Sequence, residues 1–344
     1  MSDVHHRSLP EGIFHLRVDD CEGVARYLQR IGFLRSGELV LTCSKAGDGN
    51  MNCVARVLTS ARSVIVKQSR PWVEKYPQFD APWDRACREL DFYTLVQPFP
   101  AVASRMPQLL NGDRRARVLV LEDLGLDGDY TGLYRGGQLE DLEVDALAEY
   151  FSALHGAYAT ECGRPELVNR EMRALNHAHI FDIPFRDANG LDLDRLQSGL
   201  GAVALPFKTD ARLVSEVRRL GDEVYLVDGP CLLHGDPFPG SLVRTSGGLR
   251  VIDPEFAFFG HPEFDVGVWL AHLILADQSE ATMRRWLDRY VYPPGFDMAV
   301  AWQMAGVEIL RRLIGYAQLP LDRSVVSKAL LLERARNLVL QQSL

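Results

Sequence analysis

Hydrophobic and polar positions change character part-way along the chain. From about residue 38 to 122, "ELVLTCS", "NCVARVLT", "SVIVKQ" and "ARVLVLEDL" are short strand-like runs with turn formers between them. One helix is predicted among them. In "APWDRACRELDFYTLVQ", Trp83, Ala86, Leu90 and Leu95 lie close to a helical stripe, and Pro98 follows its end. After about residue 125 the pattern turns helical, in "LEDLEVDALAEYFSALHGAYA", "PEFDVGVWLAHLILA", "MAVAWQMAGVEILRRLIGYAQ" and "SVVSKALLLERARNLVLQQ". Two short strand-loop units interrupt it between 231 and 255. The expectation is an α+β chain of two lobes: a helical N-terminal segment and β-rich lobe over 1–122, then a mainly helical lobe over 123–344.

Composition supports a folded chain. Its 344 residues are 47% hydrophobic and 24% charged, enough for two lobes with their own cores. Acidic residues outnumber basic ones by 46 to 38, giving a net charge of -8, and no basic stripe stands out, so a nucleic-acid partner is not expected. "MSDVHHRSLPEGIF" lacks the regions of a signal peptide, and no apolar run approaches the roughly 20 residues that span a bilayer. A cytoplasmic location without membrane attachment is expected. The six cysteines are scattered without a CxxC pair, which suggests reduced, packed thiols. His177 and His179 have a spacing that could bind metal from a strand, but no third ligand is apparent, and ordinary histidines are the better reading.

The interrupting units carry the candidate chemistry. "CLLHGDPFPGSLV" is an apolar run followed by prolines and glycine, which puts Asp236 where a rigid loop leaves a strand. "LRVIDPEFAFFGHPEFDVG" repeats the arrangement with Asp253 and Glu255. In the β-rich half, "KAGDGNMNCVARV" is a tight turn: Gly47 and Gly49 flank Asp48, with Asn50 and Asn52 after them. Taken singly it reads as a hairpin turn, Lys67 as a strand lysine facing water, and Glu89 as a solvated helix residue. Taken in order they have a joint use. The turn covers nucleotide phosphates, Lys67 contacts them, and Glu89 positions Lys67.

That order, continued through an edge segment "LVLEDLG", Asp236 and Asp253, is that of protein-kinase-like phosphotransferases. Phosphoryl transfer to a hydroxyl needs a group to accept the hydroxyl proton, here Asp236, and carboxylates to hold the cations that neutralise phosphate, here Asp253 and Glu255. The adenine would lie against the backbone of Glu122, Asp123 and Leu124. At these residues the sequence resembles the aminoglycoside phosphotransferase and choline kinase superfamily, and most closely the methylthioribose kinases. The resemblance rests on the turn Asp48-Gly49-Asn50 with Asn52, the strand Val66-Lys67-Gln68, the HGD loop ending in Gly240-Ser241, "DPEFAF" from Asp253, and "RRLIG" over Arg311 to Gly315.

The resemblance implies a bilobal protein-kinase-like fold, ATP and Mg2+, and a small acceptor carrying a ribose-like hydroxyl. It also implies Ser241 as a further metal ligand in place of the superfamily's asparagine, and it suggests a homodimer. Arg311 and Arg312 would bind the acceptor, although adjacent helix positions do not share a face and could simply be one exposed and one salt-bridged arginine. His234 is expected to brace the loop, and Asp265 to anchor it or to cap a helix. Two departures lie beside the acceptor position. Asp-Pro-Phe-Pro-Gly-Ser stands where the family usually has Asp-Leu-His-Thr-Gly-Ser, and "GHPEFDVG" replaces "GPMGFDIG". An antibiotic or nucleoside phosphotransferase is therefore the second enzymatic reading, and a nucleotide-binding pseudokinase the last.

Overall fold

Alternation in "NCVARVLT" becomes a strand with Cys53, Ala55, Val57 and Thr59 turned inward, in a computed structural model that describes residues 9–47, 49, 51–159, 167–187 and 189–341. Two compact units are present. The first takes the chain up to Gln97 together with Met106–Leu126; the second takes Pro98–Arg105 and the chain from Asp127.

The first unit starts with helix α1 (Cys21–Arg30), whose first turn is capped by the Asp20 carboxylate accepting from the Gly23 N–H. Strands β1 (Val40–Lys45), β2 (Cys53–Thr59) and β3 (Ser63–Gln68) follow, then the small hairpin β4 (Trp72–Val73) and β5 (Tyr76–Asp80). Helix α2 (Arg85–Val96) precedes β6 (Leu109–Asp113) and β7 (Val118–Glu122). The main sheet is antiparallel in the order β1-β2-β3-β7-β6. Val57, Val64, Val66, Val118 and Val120 pack from it against Leu16, Val24, Tyr27 and Leu28.

Two expectations are corrected here. The segment "LVLEDLG" is not an edge, because β6 pairs along the far side of β7. Polar "NGD" and a bulge between Leu109 and Asn111 hide β6 from an alternation search. Trp83 precedes the helix rather than sharing its stripe: its indole N–H donates to the Ser69 carbonyl at 3.1 Å. Asp84, the N-cap residue, makes no side-chain cap because Arg117 pairs with its carboxylate.

The second unit holds α3 (Pro100–Ala103), α4 (Asp141–Gly156), α5 (Arg170–His177), α6 (Leu193–Leu196), α7 (Leu200–Thr209) and α8 (Ala211–Leu220). Four short strands come next: β8 (Cys231–Leu233), β9 (Leu242–Thr245), β10 (Gly248–Val251) and β11 (Phe258–Gly260), paired as two antiparallel ribbons, β8 with β11 and β9 with β10. Helices α9 (Glu263–Leu275), α10 (Glu280–Arg289), α11 (Met298–Ile314) and α12 (Val325–Val339) complete it. Every residue of α9 is buried, so its apolar positions run all round rather than along one stripe. It meets α11 at Gly267, where a Cβ would stand 2.5 Å from the Ala301 carbonyl oxygen. Among the described residues no helix is long and apolar enough to cross a membrane.

Candidate active site

In the first unit, Asp48 and Asn50 lie outside the described residues. Gly47 has φ +68, a conformation L side chains rarely adopt, and a Cβ on Gly49 would meet nothing within 4 Å. Asn52 is buried, and its Oδ1 accepts from Arg85 Nε at 2.9 Å. The same guanidinium donates to the carbonyls of Met51, Arg70 and Pro82, so the first residue of α2 pins the chain leaving the glycine turn.

Neither Lys67 nor Glu89 faces water: they are 3% and 1% exposed and paired at 2.7 Å. An ion pair taken this far out of water gains little net stability, which makes a purpose beyond packing the better explanation for it. At the end of β7, the Glu122 N–H donates to the Gln108 carbonyl, and its carboxylate accepts from the Gln108 N–H. The Asp123 carboxylate accepts from Arg56, Ser63 and the Gly125 N–H. Burial alone would raise its pKa, but the bonds from Arg56 and Ser63 outweigh that and lower it. Both side chains are thus engaged within their own unit, and Leu124 stands half-buried beside them.

In the second unit, β8 delivers His234, Gly235 and Asp236. The Asp265 carboxylate accepts the backbone N–H of His234 at 2.7 Å and of Gly235 at 3.0 Å. It lies inside the first turn of α9, whose N-cap is Pro262, so its acceptor capacity serves the loop rather than a helix cap. His155 Nε2 stands 3.3 Å from Asp265, and Tyr290 fixes the other ring nitrogen at 2.7 Å. Gly235 has φ +86, and a Cβ there would fall 2.2 Å from the Phe256 carbonyl oxygen. His234 Nε2 is 2.9 Å from the Ile252 carbonyl, which can only accept, so that nitrogen carries the proton.

Ser241 joins the two loops. Its hydroxyl donates to the Asp236 carbonyl at 3.1 Å, and its own carbonyl accepts the Ile252 N–H at 2.9 Å, which brings it beside the residue preceding Asp253. Asp253 is left-handed at φ 61 and starts a 3-10 turn over Pro254–Phe256. Asp253 and Glu255 therefore do not alternate along an extended segment, because two-residue periodicity fails in a helical turn. Asn169 Nδ2 holds this turn by donating to the carbonyls of Glu255 and Ala257, at 3.0 and 2.9 Å.

Among the described residues no three His, Cys, Asp or Glu side chains converge as metal ligands. Two carboxylates and a hydroxyl whose proton is already committed to a carbonyl offer oxygen donors only. That set fits a hard cation that takes its remaining ligands from phosphate and water.

Arg311 and Arg312 are both buried, and both reach Asp236 Oδ1, Arg311 Nη1 at 3.5 Å and Arg312 Nη2 at 3.0 Å. The reading of one exposed and one paired arginine fails because both fold back onto Glu308, three and four residues earlier on α11. His272 Nε2 lies 3.3 Å from Glu308, and Tyr134 Oη is 2.7 Å from His272 Nδ1. Burial pushes the His272 pKa down to about 4 against the pull of Glu308, so the ring is neutral near pH 7. Its proton then sits on Nε2 toward the carboxylate, and Tyr134 donates to Nδ1. Burial disfavours an ionised Glu308, yet Arg311 and Arg312 hold its carboxyl well below the usual range.

Sequence reasoning missed Arg85, Asn169, His272 and Glu308. Only Glu308 left a local signal, its spacing to the arginine pair. The family model described as "Phosphotransferase enzyme family" matches residues 42–308. The methylthioribose kinase of Exiguobacterium sibiricum is 27% identical over 301 residues, covering 81% of this chain and 74% of that protein. That of Geobacillus kaustophilus is 26% identical over 369 residues, covering 91% and 90%. Among solved structures, choline kinase LicA from Streptococcus pneumoniae aligns with a TM-score of 0.53 at 14% identity, covering 93% of this chain and 98% of that one. The AMP-bound spectinomycin phosphotransferase APH(9)-Ia aligns at 0.51 and 10% identity, covering 94% and 99%. At such identities these structures speak for the fold alone, a bilobal kinase-like α+β fold. With a family match over most of its length and that fold beneath it, the chain belongs to the phosphotransferase enzyme family.

Proposed function

We propose that this phosphotransferase moves a phosphoryl group from ATP, with Mg2+, to a hydroxyl of methylthioribose or a closely related riboside. The observation that carries the reading is Asp236: a carboxylate at a strand end, with the two residues before it anchored by their N–H groups on Asp265 and two buried guanidiniums on one of its oxygens. The relatives' names favour the acceptor.

Residues 1–122 would serve the nucleotide and residues 123–344 the acceptor and the chemistry. Gly47, Asp48, Gly49 and Asn50 would cover the phosphates, with Lys67 on them and Glu89 holding Lys67. The adenine would meet the backbone at Glu122 to Leu124. Asp253, Glu255 and Ser241 would hold the cation, which supplies charge neutralisation along the phosphate chain. Asp236 accepts the hydrogen bond of the attacking hydroxyl and takes its proton as the new P–O bond forms and the bond from the γ-phosphorus to the bridging oxygen breaks, with ADP as the leaving group. An arginine fork suits the remaining vicinal hydroxyls, since it presents several donors in one plane.

Purified protein is to be incubated with ATP and Mg2+ against methylthioribose, other ribosides, choline and aminoglycosides, with phosphorylated product followed by 31P NMR. Methylthioribose should be the best acceptor. Asp236→Asn should cost about 10²-fold or more in turnover while ATP binding persists. Preferred turnover of an aminoglycoside would move the function to the antibiotic phosphotransferases.

A further inference from the structure

The two arginines that face Asp236 are themselves ordered by a third charge. Glu308 accepts Arg311 Nη1 on both oxygens, at 3.2 and 3.0 Å, and Arg312 Nε on Oε1. Behind it, His272 and Tyr134 close a buried chain, and the Phe238 ring lies 4.9 Å from the Arg312 guanidinium. Two carboxylates and two guanidiniums balance to zero, with Glu308 and both arginines buried and Asp236 partly open to solvent. Without Glu308, two like charges would converge on a single carboxylate, with nothing to hold them parallel.

The arginines also differ. Arg312 is fully used: Nε on Glu308, Nη2 on Asp236, and Nη1 toward the Ala317 carbonyl at 3.5 Å. Arg311 Nε is buried without a partner among the described residues. A buried donor without a partner calls for an explanation, and beside Asp236 a ligand that completes it is one.

We propose that Glu308 is a positioning residue that splits the arginine pair by task, clamping Arg312 onto Asp236 and presenting Arg311 to the acceptor. This rests on the reading of Asp236 as the group that receives the hydroxyl proton. It makes the pair unequal in kinetics: Arg312 acts through Asp236 on the chemical step, and Arg311 acts on acceptor binding.

The test compares Glu308→Gln and Glu308→Asp with the wild type, in the full chain, with methylthioribose as acceptor. Glu308→Gln should lower kcat by about 10 to 100-fold, with the ATP dissociation constant essentially unchanged. Glu308→Asp keeps the charge but shortens the reach, and should recover part of that loss. A crystal structure of either variant should have the Arg312–Asp236 contact lengthened or broken. Arg311→Met should raise KM for methylthioribose about tenfold with a smaller change in kcat, and Arg312→Met the reverse.

Wild-type kcat in Glu308→Gln, an undisturbed Arg312–Asp236 contact, or loss of ATP binding in parallel with kcat would each overturn the proposal, the last by marking a purely structural role. If Glu308→Gln does not fold, the kinetics and structure of Glu308→Asp decide. A wild-type enzyme that ignores methylthioribose would sink the acceptor assignment instead, and the variant structures would still decide the positioning.

Discussion

Lys67 and Glu89 show how burial changes the meaning of a charged residue. A strand lysine facing water could be removed without harm to the fold. This one pairs with Glu89 at 2.7 Å inside the protein, so Lys67→Ala should remove the countercharge from a buried carboxylate and cost about 3–5 kcal/mol of stability. Adding Glu89→Gln should return much of the melting temperature and none of the phosphoryl transfer. Calorimetry beside the activity assay separates the two effects, and recovery of activity in the double variant would remove Lys67 from the phosphate site. His272 gives the pH counterpart. Its pKa is pushed down to about 4 in the folded chain by burial, against 6.5 when unfolded, so its contribution is fully present above pH 6.5. It is lost as pH falls from 6.5 toward 4, because the unfolded chain then takes up a proton that the folded chain refuses. The loss should reach about 3 kcal/mol, and His272→Gln should flatten the stability–pH curve in urea melts over that interval.

At the level of elements, the active loop is built from what leaves β8 rather than from β8 itself. Three residues of strand are enough because Asp265 from α9, the Ile252 carbonyl at the end of β10 and the Phe256 carbonyl all press on His234 and Gly235. Gly235→Ala adds a Cβ 2.2 Å from that last oxygen and at φ +86, so the loop must move. A stability loss of about 1–3 kcal/mol is expected, with turnover falling further than stability explains. Wild-type kcat in this variant would mean the loop tolerates displacement. Helix α9, by contrast, can present Asp265 to the loop because the rest of its first turn is locked in the core.

For the whole molecule, the sequence is most transparent where structure is local. The strands β1, β2, β3 and β7 and the helices α4, α11 and α12 follow directly from hydrophobic spacing. β6 does not, because "LLNGD" hides its pairing in a bulge and polar residues. Motif order brought out Lys67, Asp236 and Asp253, since each stands beside a turn or inside a short distinctive string, and the family resemblance brought out the arginine pair. What supports them was hidden by distance along the chain: His155 meets Asp265 across 110 residues, and Tyr134 meets His272 across 138. No periodicity reports such contacts. Because His272, whose buried ring resists protonation, belongs to the second unit, α9 and α11 should exchange amide hydrogens at pH 5 before the five-stranded sheet does. Uniform loosening of both units would contradict this.

Asn169 bears on how the protein tolerates random mutation. Its amide nitrogen serves two carbonyls, and its backbone is left-handed at φ 50, a conformation that aspartate adopts almost as readily. Aspartate therefore keeps the shape and the backbone but turns two attractions into two repulsions directly beneath the Asp253 turn. In a saturation library the most conservative replacement at this position should rank among the worst, below residues that share neither its size nor its polarity.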